Sequence, residues 1–143
     1  MSASEPAGLA SLRKQAEAGA ASAQYELGCI YYEGRGVKRD YDEALKWYRK
    51  AADQGHNSGL CDVGYCYRNG HGVKQDFAKA IPFYQQAANQ GCPTGAYWLA
   101  HAYEHGEGTK TDLEKAMEWY RISKQRGDSD AGEALARLER KKK

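Results

Sequence analysis

Small and apolar residues recur along this chain at intervals of three and four positions, which is the spacing of one face of an α-helix. Residues 20–55 contain two such faces, which hold, in order, Ala23, Leu27, Gly28 and Tyr31, and then Ala44, Tyr48, Ala51 and Ala52. Gly34 and Gly36 interrupt the pattern between the two faces. Because glycine readily ends a helix and lets the chain turn back, the pattern predicts two antiparallel helices joined by a tight turn.

The same pattern returns every 36 residues, in residues 20–55, 56–91 and 92–127. Eight positions are identical in all three copies, and they are Tyr31/Tyr67/Tyr103, Gly34/Gly70/Gly106, Gly36/Gly72/Gly108, Lys38/Lys74/Lys110, Asp40/Asp76/Asp112, Ala44/Ala80/Ala116, Tyr48/Tyr84/Tyr120 and Gly55/Gly91/Gly127. A helix pair of this size cannot bury its apolar face alone, so the repetition predicts a stack of helix pairs.

The residues on either side of the three copies fit the same period as half-repeats. Residues 9–18 carry the second-helix pattern and residues 129–141 carry the first-helix pattern. We expect each to form a capping helix that shields one end of the stack. The sequence therefore predicts an all-α protein of eight helices, with a flexible N-terminus over residues 1–8 and one repeat domain over residues 9–141.

The residues at the expected helix starts support this division. An aspartate stands where each second helix should begin, at Asp40, Asp76 and Asp112, and its carboxylate can accept unpaired backbone N–H groups. Glu43 completes the sequence pattern of a capping box in the first copy. Pro82 lies inside the second helix of the middle copy, where it should remove a hydrogen bond and bend the helix.

The repeat unit, read from Ala23 to Gly55 as Ala-x-x-x-Leu-Gly-x-x-Tyr-x-x-Gly-x-Gly-Val-x-x-Asp-x-x-x-Ala-x-x-x-Tyr-x-x-Ala-Ala-x-x-Gly, closely resembles the Sel-one-like repeat (SLR) family. That family is a relative of the tetratricopeptide repeats, and the Gly-x-Gly-Val turn with its following Asp distinguishes it from them. The resemblance implies a right-handed α-solenoid whose first helices line a concave surface that binds other proteins. SLR proteins commonly act as adaptors in bacterial signalling, secretion and envelope assembly, and in eukaryotic protein quality control.

Positions that differ between the copies are free to take on a specific role. The resemblance implies that a stripe of such positions on the first helices faces the concave groove. The predicted partner-binding residues are Tyr25, Cys29, Tyr32, Cys61, Tyr65, Arg68, Tyr97, His101 and Glu104. This stripe is aromatic and nearly neutral, which suits apolar or aromatic side chains of a bound peptide. It lacks the clustered Lys and Arg of a carboxylate clamp. The alternative is that these tyrosines only fill contacts between repeats.

Composition and charge narrow the choice of partner. The net charge is only +2, and the basic residues concentrate in a C-terminal tip, Arg137 to Lys143, rather than on a face that would bind nucleic acid. No apolar run approaches the roughly 20 residues that span a bilayer. Residues 1–8 lack the pattern of a signal peptide, which predicts a cytoplasmic protein; the alternative is a signal peptide already removed, which would leave no trace in this sequence. We therefore expect a protein or peptide partner, with no nucleic acid, no membrane insertion and no cofactor.

The four cysteines, Cys29, Cys61, Cys66 and Cys92, do not recur at the repeat period. Four cysteines allow three disulfide connectivities, between which the sequence does not choose. The simpler interpretation is four reduced thiols in an intracellular protein. Cys92 stands near a predicted helix N-terminus, where its pKa would be lowered, and this makes a thiol enzyme one alternative function.

Residues His101 to His105 spell H-x-x-E-H, the signature of inverted zincins. A zinc hydrolase needs two His on one helix face, a third ligand and a Glu base, and the spacing of His101 and His105 meets the first condition. However, Tyr103 is explained as a repeat position, and His105 stands where the other copies have Glu33 and Asn69. We therefore predict no catalytic or metal-binding residue and interpret the chain as a non-enzymatic scaffold. A metal-dependent enzyme at His101 and His105, and a structural module that self-associates, are the remaining alternatives.

Overall fold

A computed structural model describes residues 7–142, and within this range the chain forms eight α-helices and no β-strand. The helices are α1 (Ala7–Glu17), α2 (Ala21–Glu33), α3 (Tyr41–Asp53), α4 (Asn57–Asn69), α5 (Phe77–Asn89), α6 (Pro93–His105), α7 (Leu113–Gln125) and α8 (Ser129–Lys142). The all-α prediction is confirmed. The first helix starts at Ala7, two residues before the predicted start, so Ala7 and Gly8 belong to a helix. The rest of the predicted flexible N-terminus lies outside the described residues.

The predicted N-caps are confirmed at all three second helices. The carboxylates of Asp40, Asp76 and Asp112 accept the backbone N–H three residues later, at 3.1, 3.0 and 3.0 Å. The predicted capping box is only half formed, because the Asp40 N–H donates to the Tyr31 carbonyl at 2.9 Å. With that donor already engaged, the Glu43 carboxylate lies 3.7 Å from the Lys46 ammonium instead.

The first helix of each copy ends at a glycine in the left-handed conformation, with φ of 73° at Gly34, 71° at Gly70 and 68° at Gly106. Each of these glycines donates its N–H to the carbonyl four residues earlier, as the spacing predicts. Helix α5 continues through Pro82, whose side chain is exposed. The missing N–H therefore does not end the helix.

The chain divides into two compact units, residues 1–75 (unit 1) and residues 76–143 (unit 2). In unit 1, α1 packs on α2, α2 on α3, and α3 on α4. In unit 2, α5 packs on α6, α6 on α7, and α7 on α8. The domain boundaries drawn from the sequence, 9–141 with copies 20–55, 56–91 and 92–127, stay a prediction.

The core of unit 1 lies along the helix faces that the apolar spacing predicts. Leu27 is fully buried, and the second-helix residues Ala44, Tyr48, Ala51 and Ala52 are at most 4% exposed. At Gly28 an added Cβ would lie 2.6 Å from a ring carbon of Tyr48, so only glycine lets α2 approach α3 this closely. The predicted binding residues Tyr25 and Tyr32 lie on the same side of α2, and their rings are within about 6 Å of Tyr48.

Unit 2 keeps a close-packed core although its repeat departs from the pattern. Ala100 stands where the other copies have glycine, and it is fully buried. Ser123 replaces an alanine, is also fully buried, and donates its hydroxyl to the Pro93 carbonyl at 2.7 Å. The hydroxyl that Ser123 introduces into the core is thus hydrogen-bonded.

Candidate binding surface

Six of the nine predicted binding residues lie in unit 1, on α2 and α4, and three lie on α6 in unit 2. Seven of them are half-buried. Two are not partly exposed as predicted, because Cys61 is 5% exposed and Glu104 is 9% exposed. Glu104 is covered by an ion pair from α8, and Cys61 belongs to the buried core. Whether the nine residues form one surface stays a prediction.

In unit 1 the predicted tyrosines belong to a connected set of rings, which we call the aromatic surface of unit 1. Its members are Tyr25, Tyr32, Tyr41, Tyr48, His56, Tyr65 and His71. Tyr25 lies 5.6 Å from Tyr48 between ring centroids, and Tyr32 lies 6.2 Å from the same ring. Tyr48 is buried and the other rings are half-buried, so a buried ring supports a layer of partly exposed ones.

His71 links the rings at one end of this surface. It stands between Gly70 and Gly72 in the second turn, and its ring stacks on Tyr41 with centroids 4.3 Å apart. Its Nδ1 lies 2.8 Å from the Tyr32 hydroxyl, within hydrogen-bond distance. The His71 position holds Arg35 and Glu107 in the other copies, so the repeat pattern alone did not mark it. The two contacts hold Tyr32 and Tyr41 in place.

His56 lies at the other end of the aromatic surface of unit 1, where it stacks on a tyrosine and also caps a helix. Its ring stacks on Tyr25 at 4.9 Å, and its Nδ1 accepts the Gly59 N–H at 3.0 Å, which caps α4. Burial lowers the pKa of His56, and this favours the neutral ring that can accept a hydrogen bond. Sequence analysis missed this cap because histidine is not among the residues usually preferred at that position.

Asp62 on α4 is a half-buried carboxylate beside the same rings, and the sequence analysis did not identify it. Desolvation by burial raises the pKa of Asp62, and the nearby Tyr25 hydroxyl offsets only part of this effect. Burial raises the pKa of Tyr25, and the charge of Asp62 raises it further. The equivalent positions hold Glu26 and Trp98, so an acidic residue stands here in two of the three copies, and the position is not identical in all of them.

The four cysteines show no disulfide, and all of them lie within the described residues. Cys66 is buried, and this burial together with the nearby charge of Asp62 raises the pKa of its thiol to about 12. Cys92 is the N-cap residue of α6, where the sequence predicts it. A thiol with the pKa of Cys66 stays protonated at neutral pH and is a poor nucleophile.

In unit 2 the predicted residue Glu104 is the centre of a charge network. Its carboxylate accepts hydrogen bonds from Arg137 at 2.5 and 3.0 Å and from the Tyr120 hydroxyl at 2.7 Å. Burial by itself would raise the pKa of Glu104, but the bonds from Arg137 and Tyr120 outweigh it and lower the pKa to about 2. Glu104 therefore attaches α8 to α6 and α7.

The side chains of the H-x-x-E-H segment make contacts with other residues of unit 2. The rings of His101 and His105 lie 4.3 Å apart, but His101 Nδ1 contacts Glu107 at 2.8 Å. The carboxylate that would act as the base, Glu104, is held by Arg137 and Tyr120. In the part of the chain that the structure describes, no group of three or more His, Cys, Asp or Glu side chains could hold a metal ion.

The half-buried Tyr97 and His101 face a mixed environment in unit 2. Tyr97 and residues of α8 line a cleft of about 570 Å³, whose charged walls are Asp130, Glu133, Arg137 and Arg140. Acidic and basic side chains are equally represented there, so the cleft has no strong charge preference.

None of the helices described here is both long and apolar enough to cross a membrane.

The family model described as Sel1 repeat matches residues 21–56, 58–92 and 93–128, which are the three predicted copies shifted by one or two residues. No curated protein sequence matches the chain. Among solved structures, a Sel1 repeat protein from Oxalobacter formigenes is 36% identical, with a TM-score of 0.85 over 90% of this chain and 53% of its own. A protective antigen present in uropathogenic Escherichia coli strains, which displays an SLR fold, is also 36% identical, with a TM-score of 0.83 over 86% of this chain.

The chain spans 26% of the E. coli antigen and about half of the Oxalobacter protein, so it corresponds to part of each. Helicobacter pylori cysteine rich protein B is similar over 90% of this chain and 95% of its own, with a TM-score of 0.73. Its identity is 19%, so this likeness concerns the fold alone.

Proposed function

The chain belongs to the Sel1 repeat family, whose members are generally protein-interaction scaffolds, and we propose that it is a non-enzymatic scaffold that binds a peptide or protein segment. The proposed contact residues are the half-buried members of the predicted set, with the aromatic surface of unit 1 as the principal anchor. Cys61 and Glu104 are left out because both are buried. The observation that carries the proposal is the connected layer of partly exposed rings on α2 and α4.

The physical chemistry of these rings supports a binding role. Tyrosine offers a large contact area and loses little side-chain entropy when a ligand immobilises it. Tyr32 and Tyr41 are already held by His71, so ordering them costs less on binding. Tyr65 lies beside the same histidine, with ring centroids 6.2 Å apart in an edge-on arrangement. A preorganised aromatic layer of this kind suits apolar or aromatic side chains of a partner.

The two enzyme alternatives have no comparable support. The carboxylate of the H-x-x-E-H segment is committed to Arg137 and Tyr120, and a hydrolase would need it as a base. A thiol enzyme at Cys92 would need a base beside the thiol, and no observation supports such a pair. Self-association remains compatible with the same aromatic surface, and it is an outcome of the test below.

The proposal is tested with a library of displayed random peptides selected against the full chain. The best peptide is then titrated by fluorescence anisotropy against the wild type and two variants. Tyr65→Ala should weaken binding by about 2 kcal/mol, roughly 30-fold, because a few aromatic anchors carry most of the binding energy of an interface. Lys46→Ala, at an exposed position on α3, should leave the affinity unchanged.

Circular dichroism of both variants shows whether the helices are retained. Equal affinity of the folded Tyr65 variant and the wild type would rule out the aromatic surface of unit 1 as the site. If the aromatic surface of unit 1 instead binds a second copy of the chain, sedimentation velocity of the wild type without peptide should detect a dimer.

A further inference from the structure

Four charged side chains form a stripe along one face of α8. Its members, which we call the α8 stripe, are Asp130, Glu133, Arg137 and Arg140. They are spaced i, i+3, i+7 and i+10, so they lie on the same face of the helix over about 15 Å. The α8 stripe forms the charged wall of the cleft in unit 2, and three of its four residues are exposed. It is therefore accessible to another molecule.

The two signs of charge are ordered along the α8 stripe. Both acidic residues stand in its N-terminal half and both basic residues in its C-terminal half. Each acidic residue has a basic counterpart at the same distance from Leu135, five residues for the outer pair and two for the inner pair. A helix with this order is complementary to an antiparallel copy of itself, because the acidic half of each copy then faces the basic half of the other.

The side chains at the middle of the α8 stripe are small, and its charges are available for new contacts. Ala134 and Ala136 line the same cleft on either side of the midpoint, and small side chains let two helices approach closely. The Arg137 side chain holds Glu104 but is 42% exposed. Since a guanidinium carries five N–H donors, Arg137 can bind a second carboxylate without releasing the first.

The order of charges has a second explanation, and the cleft distinguishes the two. Acidic residues at the start of a helix and basic residues at its end also complement the helix macrodipole. Charges that serve only the macrodipole need not share one face, whereas all four residues of the α8 stripe line one cleft. The cleft volume of about 570 Å³ is in the range that accommodates a ligand or several side chains. The cleft therefore favours a contact with another molecule.

We propose that the α8 stripe is a self-association surface, which binds the α8 stripe of a second copy of this chain in antiparallel orientation. Asp130 of each copy pairs with Arg140 of the other, and Glu133 of each copy pairs with Arg137 of the other. A twofold axis relates the two sets of ion pairs. Exposed ion pairs each contribute little, so the dimer is weak and salt dissociates it. This inference does not depend on the proposed function.

Sedimentation equilibrium, from micromolar to millimolar protein and at low and high salt, measures the dissociation constant of the dimer. Asp130→Arg and Arg140→Glu each place like charges opposite one another at both ends of the interface. Each should weaken the dimer by roughly tenfold or more. The double variant Asp130→Arg/Arg140→Glu restores opposite charges, so its dissociation constant should return close to that of the wild type.

Glu139→Arg is the matched control, because Glu139 is an exposed acidic residue of α8 that does not line the cleft. This variant makes the same change of charge as Asp130→Arg and should dimerise like the wild type. Circular dichroism of all variants shows whether the helices are retained. The recovery in the double variant separates a contact between copies from a macrodipole effect, since both of its substitutions oppose the macrodipole.

Three results would overturn the proposal. The first is a wild type that stays monomeric up to millimolar concentration at low salt, which would leave the charges of α8 with the macrodipole alone. The second is a dimer that Glu139→Arg weakens as much as Asp130→Arg does, or that the double variant does not restore. The third is a dimer that is lost in folded Tyr65→Ala, because it would then form through the aromatic surface of unit 1.

Discussion

The ion pair between Glu104 and Arg137 should be the main electrostatic contribution to the stability of unit 2. We consider the substitution Arg137→Met, which removes the guanidinium and keeps much of the aliphatic stem. It leaves the Glu104 carboxylate, whose side chain is 5% exposed, with the Tyr120 hydroxyl and the more distant His105. Breaking such a pair on one side destabilises a protein because a buried charge loses its partner.

The pKa of Glu104 sets the scale of the loss. A lowering from the ordinary 4.5 to about 2 corresponds to roughly 3 kcal/mol for the whole network at neutral pH. Tyr120 retains its hydrogen bond in the variant, and the Arg137 side chain is 42% exposed, so water screens part of the attraction. We therefore expect Arg137→Met to lower the free energy of unfolding by about 2 kcal/mol at pH 7.

The loss should depend on pH in a defined direction. Between about pH 4.5 and pH 2 the unfolded chain binds a proton at Glu104 and the folded wild type does not, so this stabilisation is present above that range and is lost as pH falls through it. In Arg137→Met the pKa of Glu104 is higher, and less stabilisation remains to be lost. The difference between wild type and variant should therefore shrink as the pH falls toward about 2.

Urea denaturation followed by circular dichroism, at neutral and at acid pH, measures both effects. Glu104→Gln is the companion variant, and in the double variant the two losses should not add, because each removes the same interaction. A loss for Arg137→Met below about 0.5 kcal/mol, or one that is the same at both pH values, would refute the assignment.

Two further predictions concern the helix packing. Tyr67 is 8% exposed, and its hydroxyl accepts a hydrogen bond from the guanidinium of Arg49. Tyr67→Ala should lower the free energy of unfolding by about 3–5 kcal/mol, whereas Tyr67→Phe should lower it by about 1 kcal/mol through the loss of that bond. A loss under about 1 kcal/mol for the Ala variant would place Tyr67 outside the core. Gly72→Ala should lower the melting temperature more than Gly91→Ala. Both glycines have positive φ, but an added Cβ would lie 2.5 Å from a backbone oxygen at Gly72 and would meet nothing within 4 Å at Gly91. Equal shifts of the melting temperature would mean that the close approach at Gly72 does not contribute to stability.

The helix boundaries and their caps could be predicted from the sequence because the interactions that make them are local. The Asp40 carboxylate accepts an N–H three residues away, and the Gly34 N–H donates to a carbonyl four residues away. The period of 36 residues then carried these assignments to the other copies. The buried stripe Ala44, Tyr48, Ala51 and Ala52 followed from helical spacing for the same reason.

The candidate site was predicted only in part. Variable aromatic positions such as Tyr25 and Tyr65 could be identified because they depart from the repeat on a known helix face. The sequence analysis did not find His71 or Asp62, because neither residue is identical in the three copies and neither belongs to the variable stripe on the first helices. It also counted Glu104 as a contact residue, although the structure uses it to hold α8.

Periodicity thus determined the helices, their ends and the residues they bury, since each depends on neighbours within about one turn. Only the tertiary structure decided which charged side chains gain an ion-pair or hydrogen-bond partner. Arg137 is 33 residues from Glu104 in sequence, and the Tyr25 hydroxyl near Asp62 lies on a different helix. Coulomb energy and desolvation depend on distances and burial in space, and the spacing of residue types along the chain does not record them.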